Sequence, residues 1–450
     1  MPADSVAAFR IGFGLLAALG SIRFLARGWV DTLYLAPEHH LTYAGLGWVQ
    51  PWPAPWMHLH IAVLAVLGLC LAAGYRTRLA ASLFLAGFAW TEAIDAALYL
   101  NHYWFMTLAA VLMVILPVGH HWSIDAATGR APARPLVAMG MVGILRAQLA
   151  VVYVFAGVAK LNGDWLLRAQ PLGLWLADGT DLPIVGPVLG EPIVAVLASW
   201  AAAAFDLTIV GWLLWRRSRP LAWAAVVAFH LVTGALFPIG LFPWVMIVAT
   251  LVFFEPDWPR RLLARIAGRA AGGPGGLDGR PRLAGDIVAP GDHRRSTISA
   301  PAVGVLVALA VVQLALPLRH YANDGNVRWT EEGYYLAWRV MLTDKAGYVT
   351  YEITDPVTGE RSLADPELVL TDWQSNTAAI RPDLIHATAH LLADHFADQG
   401  RPAVEVRADA WVSMNGQARQ RIIDPSVDLA AHDRGRVPDG WILEPGSPDG

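Results

Sequence analysis

Only two lysines occur in this 450-residue chain, Lys160 and Lys345, beside 31 arginines. Where a plain positive charge suffices the sequence uses arginine, so Lys160, at the end of a long apolar run, reads as something other than a generic cation. A desolvated amine can give up its proton and serve as a general base or a ligand, whereas a guanidinium stays charged. A lysine at a helix end can also send its ammonium out to the membrane interface along its apolar stem, and both readings stand at this stage. Arg146, Tyr153 and Lys160 are spaced by seven, which keeps them on one helical stripe with a drift of about 20° per step. Gly157 on the same side admits a close backbone or a flat ligand. Arg146 fits a ligand contact on that stripe and equally a marker of the helix's cytoplasmic end.

Other polar residues also interrupt apolar runs. Asn101 and His102 open one run, and His230 lies inside another; each can donate or accept a hydrogen bond. Glu92, Asp95 and Asp206 are carboxyls in similar surroundings. An ionisable side chain at a bilayer centre costs at least ~2.5 kcal/mol, which makes such residues functional candidates unless they pair with a polar neighbour. Metal and nucleotide chemistry have little support. His386 and His390 are four apart with His395 following, but no HExxH pattern accompanies them and Cys70 is the single thiol; a solvated helix face is the simpler reading, and no metal is expected. No phosphate-binding glycine loop occurs.

The elements that position these residues follow from hydropathy. Apolar residues make up 55% and charged residues 16% of the chain, against about 25% charged in ordinary soluble domains. Runs long enough to cross a bilayer, about 17 to 25 residues each, recur near 5–26, 56–74, 80–99, 103–119, 141–160, 190–215, 220–236, 239–254 and 299–317, giving an expected nine spans. Residues 1–318 carry 21 basic and 16 acidic side chains, and the remainder 12 and 21, an asymmetry that places the two parts in different surroundings. Neither resembles the basic, aromatic-interleaved face of a nucleic-acid binder. Arginines collect in every second loop, with eight between Arg260 and Arg295. The N-terminus is therefore expected in the cytoplasm and residues 319–450 outside it.

The expected architecture is a polytopic α-helical membrane domain over 1–318, with a flexible cytoplasmic linker at about 256–298, followed by an extracytoplasmic β-rich α+β domain over 319–450. In that tail, Tyr348 to Ile353 and Val404 to Val412 alternate like half-buried strands, in an α+β or β-sandwich arrangement. Turn chemistry stands at Asp355-Pro356 to Gly359 and at Asn415-Gly416. Ile385 to Phe396 has helical periodicity.

The run Tyr153-Val-Phe-Ala-Gly157-Val-Ala-Lys160-Leu-Asn-Gly-Asp164-Trp165 closely resembles the lysine motif of the vitamin K-dependent gamma-carboxylase family, which includes bacterial horizontally transferred transmembrane proteins. The resemblance continues in order through Phe9-Arg10-Ile11-Gly12, Gly74-Tyr75-Arg76, Asn101-His102-Tyr103, His121-Trp122-Ser123-Ile124-Asp125, Phe205-Asp206-Leu207, Phe229-His230, Trp258-Pro259-Arg260, Trp329-Thr330-Glu331-Glu332-Gly333 and Trp411-Val412-Ser413-Met414-Asn415. It implies an integral membrane enzyme that uses reduced vitamin K or menaquinol with O2 and CO2, needs no metal, and acts on a glutamyl-containing peptide or protein. On that pattern Lys160 takes a proton from the hydroquinone, oxygen adds to the ring, the resulting base removes a glutamyl γ-hydrogen, and CO2 traps the carbanion. His102 supports the lysine and His230 is a further site histidine, with Asn101, Tyr153, Gly157 and Arg146 around the naphthohydroquinone. Animal members carry two adjacent lysines here, whereas Ala159 precedes Lys160, so only the second position transfers. Alternatives are a quinone epoxidase without carboxylation, or a quinone- or lipid-binding membrane module without catalysis.

Overall fold

The computed structural model describes residues 1–183, 185–270, 296–323, 325–434 and 440–446. The membrane part contains α1 (Asp4–Ala26), α2 (Trp56–Ala73), α3 (Thr77–Ala93), α4 (Asn101–Ile115), α5 (Met139–Ala159), α6 (Pro192–Leu214), α7 (Arg219–Leu236), α8 (Phe242–Ala249), α9 (Trp258–Ala270) and α10 (Ala300–Ala315). Among the described residues six helices are long and apolar enough to cross a membrane: α1, α2, α5, α6, α7, and α10 with the turn that extends it to Ala322. The other three expected spans form shorter helices, α3, α4, and α8 continued by a 3-10 turn at Thr250–Phe253. At about 1.5 Å per residue these cover less of a hydrocarbon layer about 30 Å thick. Residues 271–295, most of the expected linker, lie outside the described residues, and α9 runs through the first part of that segment.

Small residues set the closest helix contacts. A Cβ on Gly14 would stand 2.4 Å from the Ala72 amide nitrogen, and one on Gly68 2.7 Å from that of Ala18, so α1 and α2 meet backbone to backbone. Near the start of α1, Arg10 is fully buried. It donates to the carbonyls of Ala72 (3.4 Å), Val118 (3.3 Å), His121 (3.4 Å) and Trp122 (2.6 Å). Gly74, at φ +66°, must lack a side chain there because its Cβ would lie 2.5 Å from the Arg10 guanidinium. Asp125 accepts from the amides of Arg76 (2.8 Å) and Thr77 (2.7 Å), capping α3. The motifs around Arg10, Gly74 and Asp125 thus fasten one end of the bundle.

The tail is an antiparallel sheet of order β2-β1-β3-β4, with β1 (Lys345–Thr354), β2 (Arg361–Ala364), β3 (Glu405–Met414) and β4 (Gln420–Arg421). Tyr348 faces Trp411 and Tyr351 faces Ala408. Asp355 closes the β1–β2 hairpin, accepting from the amides of Val357 and Thr358. Asn415 and Gly416, both at positive φ, turn β3 into β4. Val406, Ala408, Ala410, Val412 and Met414 are buried on one face, where α12 (Pro382–Asp398), which follows the short α11 (Asp372–Ala378), packs Leu384, Ile385, Ala389 and Leu392 into the same core. One helix-covered sheet is α+β; the sandwich alternative is not formed, because α12 takes the place a second sheet would occupy. Leu41 and Ala96 of the membrane part enter that core, seating the tail on the loops above the helices.

His386 and His390 are buried within α12, with their Nε2 atoms 3.1 Å apart, while His395 bonds to Gln399 (2.8 Å). The histidine contact requires that at least the accepting ring be neutral. Burial first, then the neighbouring His390, pushes the His386 imidazole down to about 4, against about 6.5 in an unfolded chain. Between those values the unfolded chain binds a proton that the folded tail does not, so stability falls as pH drops from about 6.5 to about 4 and levels off below. Unfolding of the protein followed from pH 7.5 to 4.5 should show a loss of roughly 2 kcal/mol that His386→Phe largely removes; equal slopes in parent and variant would contradict this.

Candidate active site

Lys160 follows the last residue of α5, where its amide closes the helix onto the Gly157 carbonyl (3.1 Å). Its side chain turns back into the protein and is 5% exposed, so it does not snorkel. Nζ donates to Asp206 Oδ2 at 2.8 Å and to the Ala156 carbonyl at 3.3 Å, and stands 5.2 Å from the centre of the Trp165 ring. Asp206, also 5% exposed, sits on α6. A Cβ on Gly157 would lie 2.9 Å from the Leu207 amide nitrogen, so this glycine lets α6 approach closely enough to present Asp206 to the amine. The amine is therefore buried and paired with a carboxylate. Whichever partner holds the proton, the pair is neutral overall, unlike a lone buried ion.

The loop after the lysine is gripped by the tail. Asn162 caps the short helix Gly163–Leu167 by accepting from the Trp165 amide (3.1 Å). Arg328 donates to Asn162 Oδ1 and to Asp164 Oδ2, both at 2.7 Å, and Asn415 Nδ2 donates to Asp164 at 3.2 Å. Asn415 is itself fixed at the β3–β4 turn by two bonds with Asp344. Trp165 locks onto α6, its indole donating to the Ser199 carbonyl (2.8 Å) while Ser199 Oγ donates to the Trp165 carbonyl (2.5 Å).

The remaining candidates divide. Tyr153 and His230 are buried and hydrogen-bonded, Oη to Nε2, at 2.9 Å. His230 packs edge-on against Phe242 at 5.8 Å between ring centres, and His102 lies 5.4 Å from the same Phe242 ring. A cavity of about 200 Å³ opens beside His102, lined also by Arg23, Tyr34, Glu92, Tyr103 and Phe242. Lys160 does not line it, so Phe242 and His230 stand between the cavity and the Tyr153–Lys160 stripe. Asn101 is occupied at the tail, donating to the Arg339 carbonyl (3.2 Å) and accepting from Tyr99 (3.1 Å). Arg146 holds the carbonyls of Val252, Phe253 and Phe254, 14 residues and about 21 Å along the helix from Lys160.

Residues the sequence reading left out of the site are Asp206, Asp164, Arg328 and Asn415. An intramembrane lysine calls for an intramembrane carboxylate, so Asp206 was within reach of that argument, but Glu92 and Asp95 were equal candidates. Asp95 instead accepts from His40 (3.1 Å) and Gln374 (2.9 Å) in a second clasp between tail and membrane part. The Arg328 contact spans 164 residues, with no local signal. Arg328→Ala should cost about 1.5–3 kcal/mol, the range for a lost hydrogen bond to a charged group. It should also raise amide exchange in peptides covering both 160–170 and 410–418; unchanged protection in either would show that the clasp does not hold the lysine loop.

Residues 1–258 match the model of the HTTM domain, and residues 299–446 match that of the vitamin K-dependent gamma-carboxylase lumenal domain. No solved structure matches the chain. The two matches follow one another in the order of the membrane helices and the tail, which is accordingly the extracytoplasmic domain. The chain belongs to the vitamin K-dependent gamma-carboxylase family and is a carboxylase-like membrane enzyme.

Proposed function

We propose that this protein couples oxygenation of a reduced naphthoquinone, vitamin K hydroquinone or menaquinol, to its epoxide with CO2 addition to glutamyl side chains. The observation that carries the reading is the buried Lys160–Asp206 pair beneath the tail. The proton on Nζ passes to Asp206 along the 2.8 Å bond and leaves a neutral amine with a free lone pair, and the apolar surroundings bear no change of net charge. Tyr153, on the same stripe as Lys160, is hydrogen-bonded to His230, which packs edge-on against Phe242 on the cavity wall. The cavity suits a flat bicyclic ring: Phe84 and Phe88 stack on its wall, 5.4 Å apart and 10° from parallel, and the His102 ring offers a hydroxyl partner. When bound, the hydroquinone supplies the reducing electrons and, with O2, the strong base that the glutamyl γ-hydrogen requires. Arg328 and Asn415 hold the tail over the lysine loop, which excludes water from a reaction that water would quench. In this reading all nine apolar helices belong to the membrane domain of 1–318, the N-terminus is cytoplasmic, and no metal takes part.

The same pair favours a second reading, in which Lys160 and Asp206 only tie α5 to α6 in a quinone- or lipid-binding module without catalysis. Charge and chemistry can be separated. Lys160→Arg keeps a cation opposite Asp206 but cannot release its proton. Lys160→Met with Asp206→Leu replaces the pair by apolar groups, an exchange that is neutral or stabilising by about 1–4 kcal/mol, whereas either change alone leaves a buried charge and costs about 3–5 kcal/mol. With purified protein in lipid nanodiscs, reduced vitamin K or menaquinol and oxygen, the parent should form epoxide. Lys160→Arg and the double variant should be folded and form none; epoxide from either removes Lys160 as the base. A glutamyl peptide with labelled bicarbonate then distinguishes the full carboxylase from an epoxidase alone.

A further inference from the structure

Helix α9 takes no part in the proposed site, and its composition differs from that of the spans. Leu262, Leu263 and Ile266 form one face and are 47%, 45% and 55% exposed, while Arg261 and Arg265 lie on another side and are exposed. Arg261 pairs along the helix with Asp257; among the described residues no ion pair is formed by Arg265.

The position of α9 is fixed. Four residues separate it from the turn Thr250–Phe253 that ends the α8 segment, a reach of at most about 18 Å over the five steps from Phe253 to Trp258. Its start is fastened to the beginning of α1, through the Ser5 amide on the Pro256 carbonyl (2.9 Å) and through Arg260 on Asp4 (3.1 Å). Asp4 also bonds His121 (2.6 Å), so α9 joins the end of the bundle where Arg10 is caged, opposite the tail. A 13-residue helix held at that level, with an exposed apolar face and arginines beside it, has the pattern of a helix lying in the headgroup layer.

We propose that α9 lies in the plane of the membrane surface on the side away from the tail, with Leu262, Leu263 and Ile266 in the acyl boundary and Arg261 and Arg265 on the phosphates of anionic phospholipid. Arg216, on the neighbouring α6–α7 loop, has its side chain 81% exposed and shares Glu255 with Arg219, which adds positive charge to the same face. The anionic lipid requirement follows from that charge and does not depend on the carboxylase reading.

The test uses Cys70→Ser protein in nanodiscs of phosphatidylcholine with phosphatidylglycerol, bearing a nitroxide at Ile266→Cys or at Gly268→Cys, which lies on the opposite face in open space. The label at 266 should be relaxed by oxygen and shielded from a water-soluble nickel complex, and the label at 268 the reverse. A label at 266 reached by nickel puts the face in water and overturns the proposal. So does a label at 266 reached by neither reagent, which means that protein, from this chain or another, covers it. Native mass spectrometry of co-bound lipid should show phosphatidylglycerol enriched over phosphatidylcholine. Arg265→Gln should lower the enrichment about five-fold, the equivalent of roughly 1 kcal/mol per arginine at an anionic surface; unchanged enrichment overturns the anionic preference.

Discussion

An ammonium placed among hydrocarbon helices has to find its counter-charge within the protein, and the Lys160–Asp206 bond at 2.8 Å meets that requirement. Several features of the neighbouring structure follow from it. Gly157 is needed because α6 must come within a glycine's width of α5 for a short aspartate side chain to reach Nζ. Trp165 and Ser199 then seal the gap above the pair by two reciprocal bonds, and Asp164 passes the same loop on to the tail. A longer acid would not have required the close helix contact, and a helix less tightly docked would have left the amine room to turn toward solvent.

Polar side chains at the boundary between membrane helices and tail act as fasteners and not as a solvated surface. Asp95 and Asp164 are each buried, and each gathers donors from both parts of the chain: His40 and Gln374 around the first, Arg168, Arg328 and Asn415 around the second. Removal of one donor strands a carboxylate in low dielectric, which costs more than the bond itself is worth. The tail is therefore bonded to the loop 162–165 that follows Lys160.

The periodicities that the bilayer and the pleated sheet impose are local, and they were legible. The long apolar runs became helices, and the alternation in Val404 to Val412 became the buried face of β3. Helix α12 was visible as Ile385 to Phe396, and the turn at Asn415-Gly416 was visible from its residue types. Lys160 stood out because lysine is so rare here. What could not be read is pairing at long range. Nothing near residue 160 says that its acid is at 206 and not at 92 or 95, and Arg328 gives no sign in sequence that it binds Asp164. The stripe of Arg146, Tyr153 and Lys160 was a correct inference about helix geometry, but a stripe some 20 Å long passes different neighbours at its two ends. Arg146 meets the carbonyls that end the α8 segment, while Tyr153 meets His230.

Among the membrane helices the chain holds its two kinds of cation differently. The buried Arg10 and Arg219 and the half-buried Arg146, all among the membrane helices, are held mainly by main-chain carbonyls: four around Arg10, three around Arg146, and two around Arg219 beside Glu255. Carbonyl dipoles stabilise a permanent charge and offer no place for its proton to go. Both lysines are held differently, by one carboxylate and one carbonyl: Lys160 by Asp206 and Ala156, Lys345 by Glu331 (2.7 Å) and Trp329 (2.8 Å). A carboxylate is an acceptor to which a proton can be moved, and an amine is the cation that can release one. Lys345 shares Glu331 with Arg381, so two cations meet on that carboxylate. Asp206 has no arginine among its partners in the described residues, so of the two lysines only Lys160 faces a carboxylate that no second cation shares.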